Sequence, residues 1–309
     1  MNSVHPIADT ASASKQELAI RYPALRQFNV VTYGYGYGNF DAKINDQDFA
    51  SGKTKTFRTS SFINTPALQW SGNALSATIF YTYTSTRLKD NINYLSDPKI
   101  TPLTSDKSTF DLALNYSRSD KIFHHPIIYS AIVNFISDHL RSARRFNFNG
   151  SFSLPLIKKE NTSLSVGALF LIDPSSPSPV LPIVNYYHRF TSSNIELIVD
   201  LPTGINLKKQ IVKNTWVSVG SNQNSYSTFY NSHEGLLNGK VSYNTIEVRS
   251  GLLFEYLFAK KLILGLGGGI NNTVSSRLFK DGERYNNPTV MSNNRSVPYV
   301  NLGLSLLPF

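Results

Sequence analysis

The residues in this chain most able to do chemistry are ionisable side chains placed inside alternating segments. Arg58, Asp111, Arg189, Glu196, Lys208, Glu247, Arg249 and Glu255 all stand in the phase opposite to the large apolar side chains of their segments. Alternate residues of a strand share one face, so these eight belong to one surface of a sheet. If that surface is an interior, unpaired charges there are expensive, and the groups must line water or pair across strands. Two readings follow. One is a polar passage for solutes. The other is a structural network, built on Arg189, Arg249, Glu196 and Glu247, that fills the interior. A second basic group, Arg141, Arg144 and Arg145, lies in the loop DHLRSARR. Guanidinium forks grip phosphate oxygens in pairs, so this cluster suits lipopolysaccharide phosphates or anionic solutes; a solvated loop with no ligand is the plainer reading.

Catalytic machinery is not in view. Cysteine is absent, which removes disulfides, thiolate metal sites and a thiol nucleophile. Among the six histidines, His139 adjoins Asp138 at a strand end, but adjacent strand residues point to opposite faces, so the two do not form a dyad. No serine stands in a nucleophile motif. We therefore expect no enzyme, no cofactor and no metal. The net charge of +10 is not gathered on one face, so nucleic acid is not an expected partner.

The elements that position these residues alternate with period two almost everywhere after residue 25. In one segment Ile246, Val248, Ser250, Leu252, Phe254, Tyr256 and Phe258 alternate with Thr245, Glu247, Arg249, Gly251, Leu253, Glu255 and Leu257, so one face is mainly apolar and the other mainly small, hydroxylic or charged. Leu75, Ala77, Ile79, Tyr81 and Tyr83 alternate with Ser76, Thr78, Thr82 and Thr84. Several such runs extend ten residues or more. That exceeds the usual soluble strand of about 5–6 residues and matches the roughly 9–11 tilted residues that cross a bilayer. No run of eighteen apolar residues is present, so no transmembrane helix is expected.

Fourteen strands are expected, at 26–38, 57–70, 74–87, 107–117, 127–137, 146–158, 162–172, 180–189, 195–199, 204–210, 215–230, 244–258, 262–270 and 297–308, with twelve as the alternative because 190–214 holds two brief ones. Their connections sort by length. Turns such as 71–73, 159–161 and 259–261 are short, and 118–126 is the longest of that set. Segments 39–56, 88–106, 231–243 and 271–296 are long. Short turns on one side and long loops on the other are the pattern of outer-membrane barrels. The fold class is thus all-β: a closed antiparallel transmembrane β-barrel at 26–309, in a bacterial outer membrane, preceded by a flexible periplasmic segment at 1–25. The last strand, SVPYVNLGLSLLPF, ends in Phe309 and so resembles a barrel-assembly signal imperfectly: the positions in phase with Phe309 are Leu307, Ser305, Gly303 and Asn301, and the apolar phase is instead Val300, Leu302, Leu304 and Leu306. Tyr33, Tyr35, Tyr37, Tyr81, Tyr83, Tyr186 and Tyr256 are expected in interfacial aromatic girdles, as is His188. A sugar-stacking platform is the functional rival for Tyr33 to Tyr37.

Pro182, Tyr186, Tyr187, Phe190, Leu201 and Pro202, followed by the Gly-rich strand at Leu264–Ile270, resemble an uncharacterised outer-membrane β-barrel family common in Bacteroidota, a domain of unknown function. The resemblance implies a compartment and a fold but no reaction. The function expected is a pore or transporter-like channel for small or amphipathic solutes. The alternative is a non-conducting structural barrel that binds a protein or lipid partner. Outer-membrane lipids and lipopolysaccharide are the expected surroundings.

Overall fold

A computed structural model describes residues 14–94, 105–139, 143–173, 176–232, 239–280, 283 and 285–308. The chain opens with α1 (Lys15–Arg21) and a 3-10 turn (Pro23–Leu25), then continues entirely in strands. These are β1 (Phe28–Tyr35), β2 (Gly38–Ile44), β3 (Gln47–Trp70), β4 (Asn73–Asn93), β5 (Ser105–Ile122), β6 (His125–Ser137), β7 (Arg145–Lys159) and β8 (Thr162–Ile172). There follow β9 (Val180–Phe190), β10 (Ile195–Leu201), β11 (Gly204–Val212), β12 (Thr215–Ser232), β13 (Gly239–Phe258), β14 (Leu262–Lys280), β15 (Val290–Asn294) and β16 (Val297–Leu306).

Each strand pairs antiparallel with its sequence neighbour from β3 to β14, and β16 follows β14. The ring closes through β1. One edge of β1 pairs with β16, from Phe28 opposite Leu306 to Tyr35 opposite Tyr299. The other edge pairs with β3, from Phe28 opposite Ile63 to Gly34 opposite Phe57. Fourteen strands therefore form the wall, as the alternation implied, and no strand edge of that ring is left for lipid. Above β1 and β16 the same two columns continue as β2 and β15. These pair with each other and bridge β3 to β14.

The wall is taller on the long-loop side than expected. Segments 39–56 and 271–296, long connections by sequence, are largely occupied by β2, β15 and the outer ends of β3 and β14. Lys53, Thr54, Lys55 and Thr56 of β3 are polar in both phases and hide the alternation there, whereas β2 alternates Phe40, Ala42 and Ile44 with Asn39, Asp41 and Lys43 over a span too short to stand out from a loop. On the other side, 118–126 is mostly strand as well. Only Phe123 and His124 turn, both at positive φ, as a type I′ hairpin requires; His125 begins β6. Ser71 and Gly72 make a second such turn.

Burial settles which phase faces where. Leu266 (60% exposed), Val300 (67%) and Leu302 (63%) point outward, and Ile79, Leu112, Phe148, Leu207, Val219 and Phe254 of other wall strands are likewise apolar and exposed. Buried Arg58, Lys208, Glu247, Arg249 and Glu255 occupy the opposite phase. A continuous exposed apolar band on a closed barrel is a surface for lipid. His188 lies in this outward phase near the short turns, stacked on Tyr186 at 6.3 Å and edge-on to Phe190 at 4.6 Å, as a girdle residue should be. The girdle assignment fails for Tyr33 and Tyr35, which face inward. Val30 and Val31 are apolar in both phases, so the sequence left the parity of β1 ambiguous; pairing with β3 and β16 fixed it.

Depth in the bilayer should govern the cost of a charge on this band. Leu266→Arg, near the middle of the β14 span, is expected to destabilise the folded barrel by about 2–4 kcal/mol, whereas Val212→Arg beside a short turn costs about 0–1 kcal/mol. Urea-dependent folding into lipid vesicles, followed by tryptophan fluorescence, measures both.

Candidate functional site in the lumen

A fourteen-stranded ring is wider than the eight-stranded barrels whose side chains fill their interiors. Here the interior is filled at three levels, each by a different device.

At the short-turn end the plug is α1. Ser14 caps it through a capping box with Glu17, which defines a helix of only seven residues. The helix turns Ala19 fully inward against Ile263 and Leu307 of the wall. Residues 14–25, expected as a loose segment, are thus packed structure; residues 1–13 lie outside the described residues. Polar links tie the plug to the wall. Arg26 donates to the Ala19 carbonyl at 3.2 Å and to Ser305 Oγ at 2.9 Å, and it pairs with Glu255. Glu255 also accepts from Lys208 at 2.6 Å, and Lys208 donates to the Ile20 carbonyl at 2.6 Å. On the far side of the helix Arg21 lies 3.7 Å over the Tyr187 ring and donates to its hydroxyl, which in turn donates to Glu196 at 2.9 Å.

At mid-height Arg58 reaches across from β3 to Glu247 on β13. Its Nη1 donates to both carboxylate oxygens, at 3.0 and 2.9 Å. The same guanidinium lies 3.7 Å over the Tyr226 ring. Arg249 lies 4.0 Å over the Tyr33 ring and donates to the Tyr226 hydroxyl at 2.6 Å. Tyr33, Tyr35 and Tyr299 form a ring cluster beside it, with centroids 6.0–6.3 Å apart.

Towards the long loops the barrel is pinched. β5 and β12 stand opposite one another in the ring, yet Thr109 Oγ1 donates to the Ser227 carbonyl at 2.9 Å. Arg145 crosses from β7 to Ser242 on β13, also at 2.9 Å.

The eight lumen candidates all fall in the inward phase, but not in one constellation. Arg58, Lys208, Glu247, Arg249 and Glu255 are buried in the centre. Glu196 meets the plug. Arg189 is at the rim, exposed, and donates to Asn194 Oδ1 at 3.2 Å. It takes no part in a cross-lumen network, because β9 ends one residue later. Asp111 faces inward on β5, and its Oδ1 has no hydrogen-bond partner. Arg21 and Arg26 were not among the candidates. Their segment carries no alternation, and only the chain's return into the barrel mouth brings them to Glu196 and Glu255. Of the basic loop cluster, Arg141 lies outside the described residues. Arg144 is committed to Asp138 through two parallel bonds of 3.1 and 3.0 Å, and Arg145 points into the lumen, so these two do not form an open phosphate fork at the outer rim.

The ring, its lipid-facing band and its charged, plugged interior define an integral transmembrane β-barrel of the outer-membrane class. No family model matches the chain, and no curated protein matches it. Solved structures similar to it include an outer-membrane channel from Pseudomonas putida F1, with 11% identity, TM-score 0.40, and 98% of this chain and 100% of that one covered. A FadL homologue of Pseudomonas aeruginosa shows 9% identity and TM-score 0.35 over 94% of each chain. Outer-membrane phospholipase A from Escherichia coli shows 8% identity and TM-score 0.31 over 89% of each. At these scores the assignment stands on strand pairing and burial, not on the likeness.

Removing one partner of a buried ion pair leaves an uncompensated charge, at a cost of about 3–5 kcal/mol. Glu255→Ala strands both Arg26 and Lys208 and is expected to show a loss in that range by urea unfolding. The rim pair behaves differently with pH. Hydrogen bonding from Arg144 holds the Asp138 carboxyl below its ordinary range, against the opposing effect of burial. The folded state therefore binds that proton less readily than the unfolded chain. The stabilisation is present above the unfolded value of about 3.9 and is lost as pH falls through the lower folded value. The gap in unfolding midpoint between the native protein and Asp138→Asn should be open at neutral pH and close in strong acid.

Proposed function

We propose that this protein is a non-enzymatic, transporter-like outer-membrane barrel for small or amphipathic solutes, with its lumen shut in the form described here. The observation that carries the reading is the chemistry of the closure. The wide ring is not sealed by an apolar core. It is sealed by ion pairs, cation–ring contacts and a short plug tied down by a few polar links. Such contacts reform easily in water, and a solute that competes for them can open a path. The partners in this reading are outer-membrane lipids, with lipopolysaccharide around the outer part of the band. Kinship with the Bacteroidota-type barrel family that Pro182, Tyr186, Tyr187 and Phe190 resemble belongs to the same proposal.

One observation favours a second reading, a non-conducting barrel that serves a protein or lipid partner. The direct contact of β5 with β12 is made to backbone, through the Ser227 carbonyl, and a side-chain rearrangement on β12 does not remove it.

Single-channel recording in planar bilayers separates the two. The native protein should be closed most of the time with brief openings. Arg26→Ala, which unties the plug, and Arg58→Ala, which breaks the mid-height pair, should each raise the open fraction several-fold. Folding of each variant is checked by its resistance to SDS without boiling. Silence from all three folded proteins overturns the channel reading.

A further inference from the structure

Four cationic side chains are buried in the central lumen: Arg26, Arg58, Lys208 and Arg249. Three of them have a carboxylate. Arg26 and Lys208 share Glu255, and Arg58 holds Glu247. Arg249 has none. It is 5% exposed, and its Nε and Nη1 find no hydrogen-bond partner. The carboxylate nearest in sequence and on the same face, Glu247, gives both oxygens to Arg58.

A buried guanidinium with idle donors is a costly arrangement unless something completes it. The Tyr33 face and the Tyr226 hydroxyl offset part of that cost, but a ring face cannot accept two directed N–H bonds. Nε and one Nη of a guanidinium form the edge that matches a carboxylate fork. A carboxylate on that edge brings a single negative charge to a centre where, among the described residues, four buried cations meet only two buried carboxylates, Glu247 and Glu255. The guanidinium lies over the ring of Tyr33, and Tyr33 in turn clusters with Tyr35 and Tyr299. Asn271, paired directly opposite Arg249 on β14, is 4% exposed and leaves its Oδ1 without a donor.

We propose that Arg249 is the anchor of a lumen site for a small aromatic monocarboxylate. The acid group bonds to Nε and Nη1, and the ring lies against the tyrosine cluster. The inference deepens the transport reading by naming a solute class, and it rests on that reading for its biological sense. The geometry itself stands apart from conduction.

Equilibrium dialysis with radiolabelled benzoate tests it on the detergent-solubilised, folded full chain, with detergent alone as the blank. The native protein should bind benzoate saturably, at one site per chain, and should not bind the neutral isostere benzamide. Arg249→Gln should weaken benzoate at least tenfold. Arg249→Lys, which keeps the charge without the fork, should recover part of that loss. SDS resistance without boiling establishes that each variant is folded. If Arg249→Gln unfolds, Arg249→Lys alone decides, because a site built on the fork must still lose affinity several-fold. Unaltered benzoate binding in a folded Arg249 variant overturns the proposal. So does equal uptake of benzamide, which marks partition into apolar surface, and so does a native protein that binds no benzoate. Benzoate bound by a protein that never conducts refutes the transport reading and leaves the site intact. Conduction without benzoate binding does the reverse.

Discussion

Every feature of this molecule depends on one pairing, that of β1 with both β16 and β3. At bilayer depth no water is present to satisfy a free N–H or C=O, so a sheet that crosses the membrane must have no edge. The first strand meets that demand by hydrogen-bonding on both sides, to the last strand of the chain and to the strand that follows the β2 hairpin. Once the ring is shut, the pleat has only one consistent parity. Each strand must then send its apolar phase to lipid and its polar phase to a common interior.

The interior inherits a packing problem from that closure. Fourteen strands enclose more space than their own inward side chains fill, and many of those are Ser, Asn and Gly. Long polar side chains solve part of it. Arg58, Arg249, Tyr35 and Tyr226 span the middle, and the returning N-terminal segment closes the mouth beside the short turns. Charges in such a place must be neutralised. The chain does so in part by local pairing: one carboxylate, Glu255, shared by Arg26 and Lys208, Glu247 for Arg58, and Glu196 for Arg21. A polar filling of this kind differs from an apolar core in its response to water. Its contacts can be exchanged one at a time, which is why a closed barrel of this composition is read as a gated one.

The matching also isolates its exception. A guanidinium with two idle donors would pass unnoticed on a surface. It is conspicuous here because the other buried cations each touch a carboxylate and because it is shut away from water. The same logic moves the tyrosines of β1 from a lipid-facing girdle to a lumen wall. Tyr33 and Tyr35 lie against Arg249 and Arg58, so their rings meet cations where headgroups had been expected.

The sequence by itself determined the barrel, its strand number, its membrane-facing band and the inward phase of all eight ionisable candidates. Period-two alternation is a local signal, and ten-residue runs of it leave few alternatives to a membrane wall. The sequence did not determine which charges meet. Partners such as Arg26 and Glu255, or Arg58 and Glu247, lie about two hundred residues apart and are brought together only by closure of the ring. The sequence at 15–25 allows one short helical turn but not its place in the barrel mouth, for a related reason. A seven-residue helix has little amphipathic pattern of its own, and Ala19 becomes a core residue only when Ile263 and Leu307 surround it. Where both phases of a segment are apolar, as at Val30 and Val31, or both are polar, as from Lys53 to Thr56, local alternation carries no parity, and pairing with neighbouring strands supplies it.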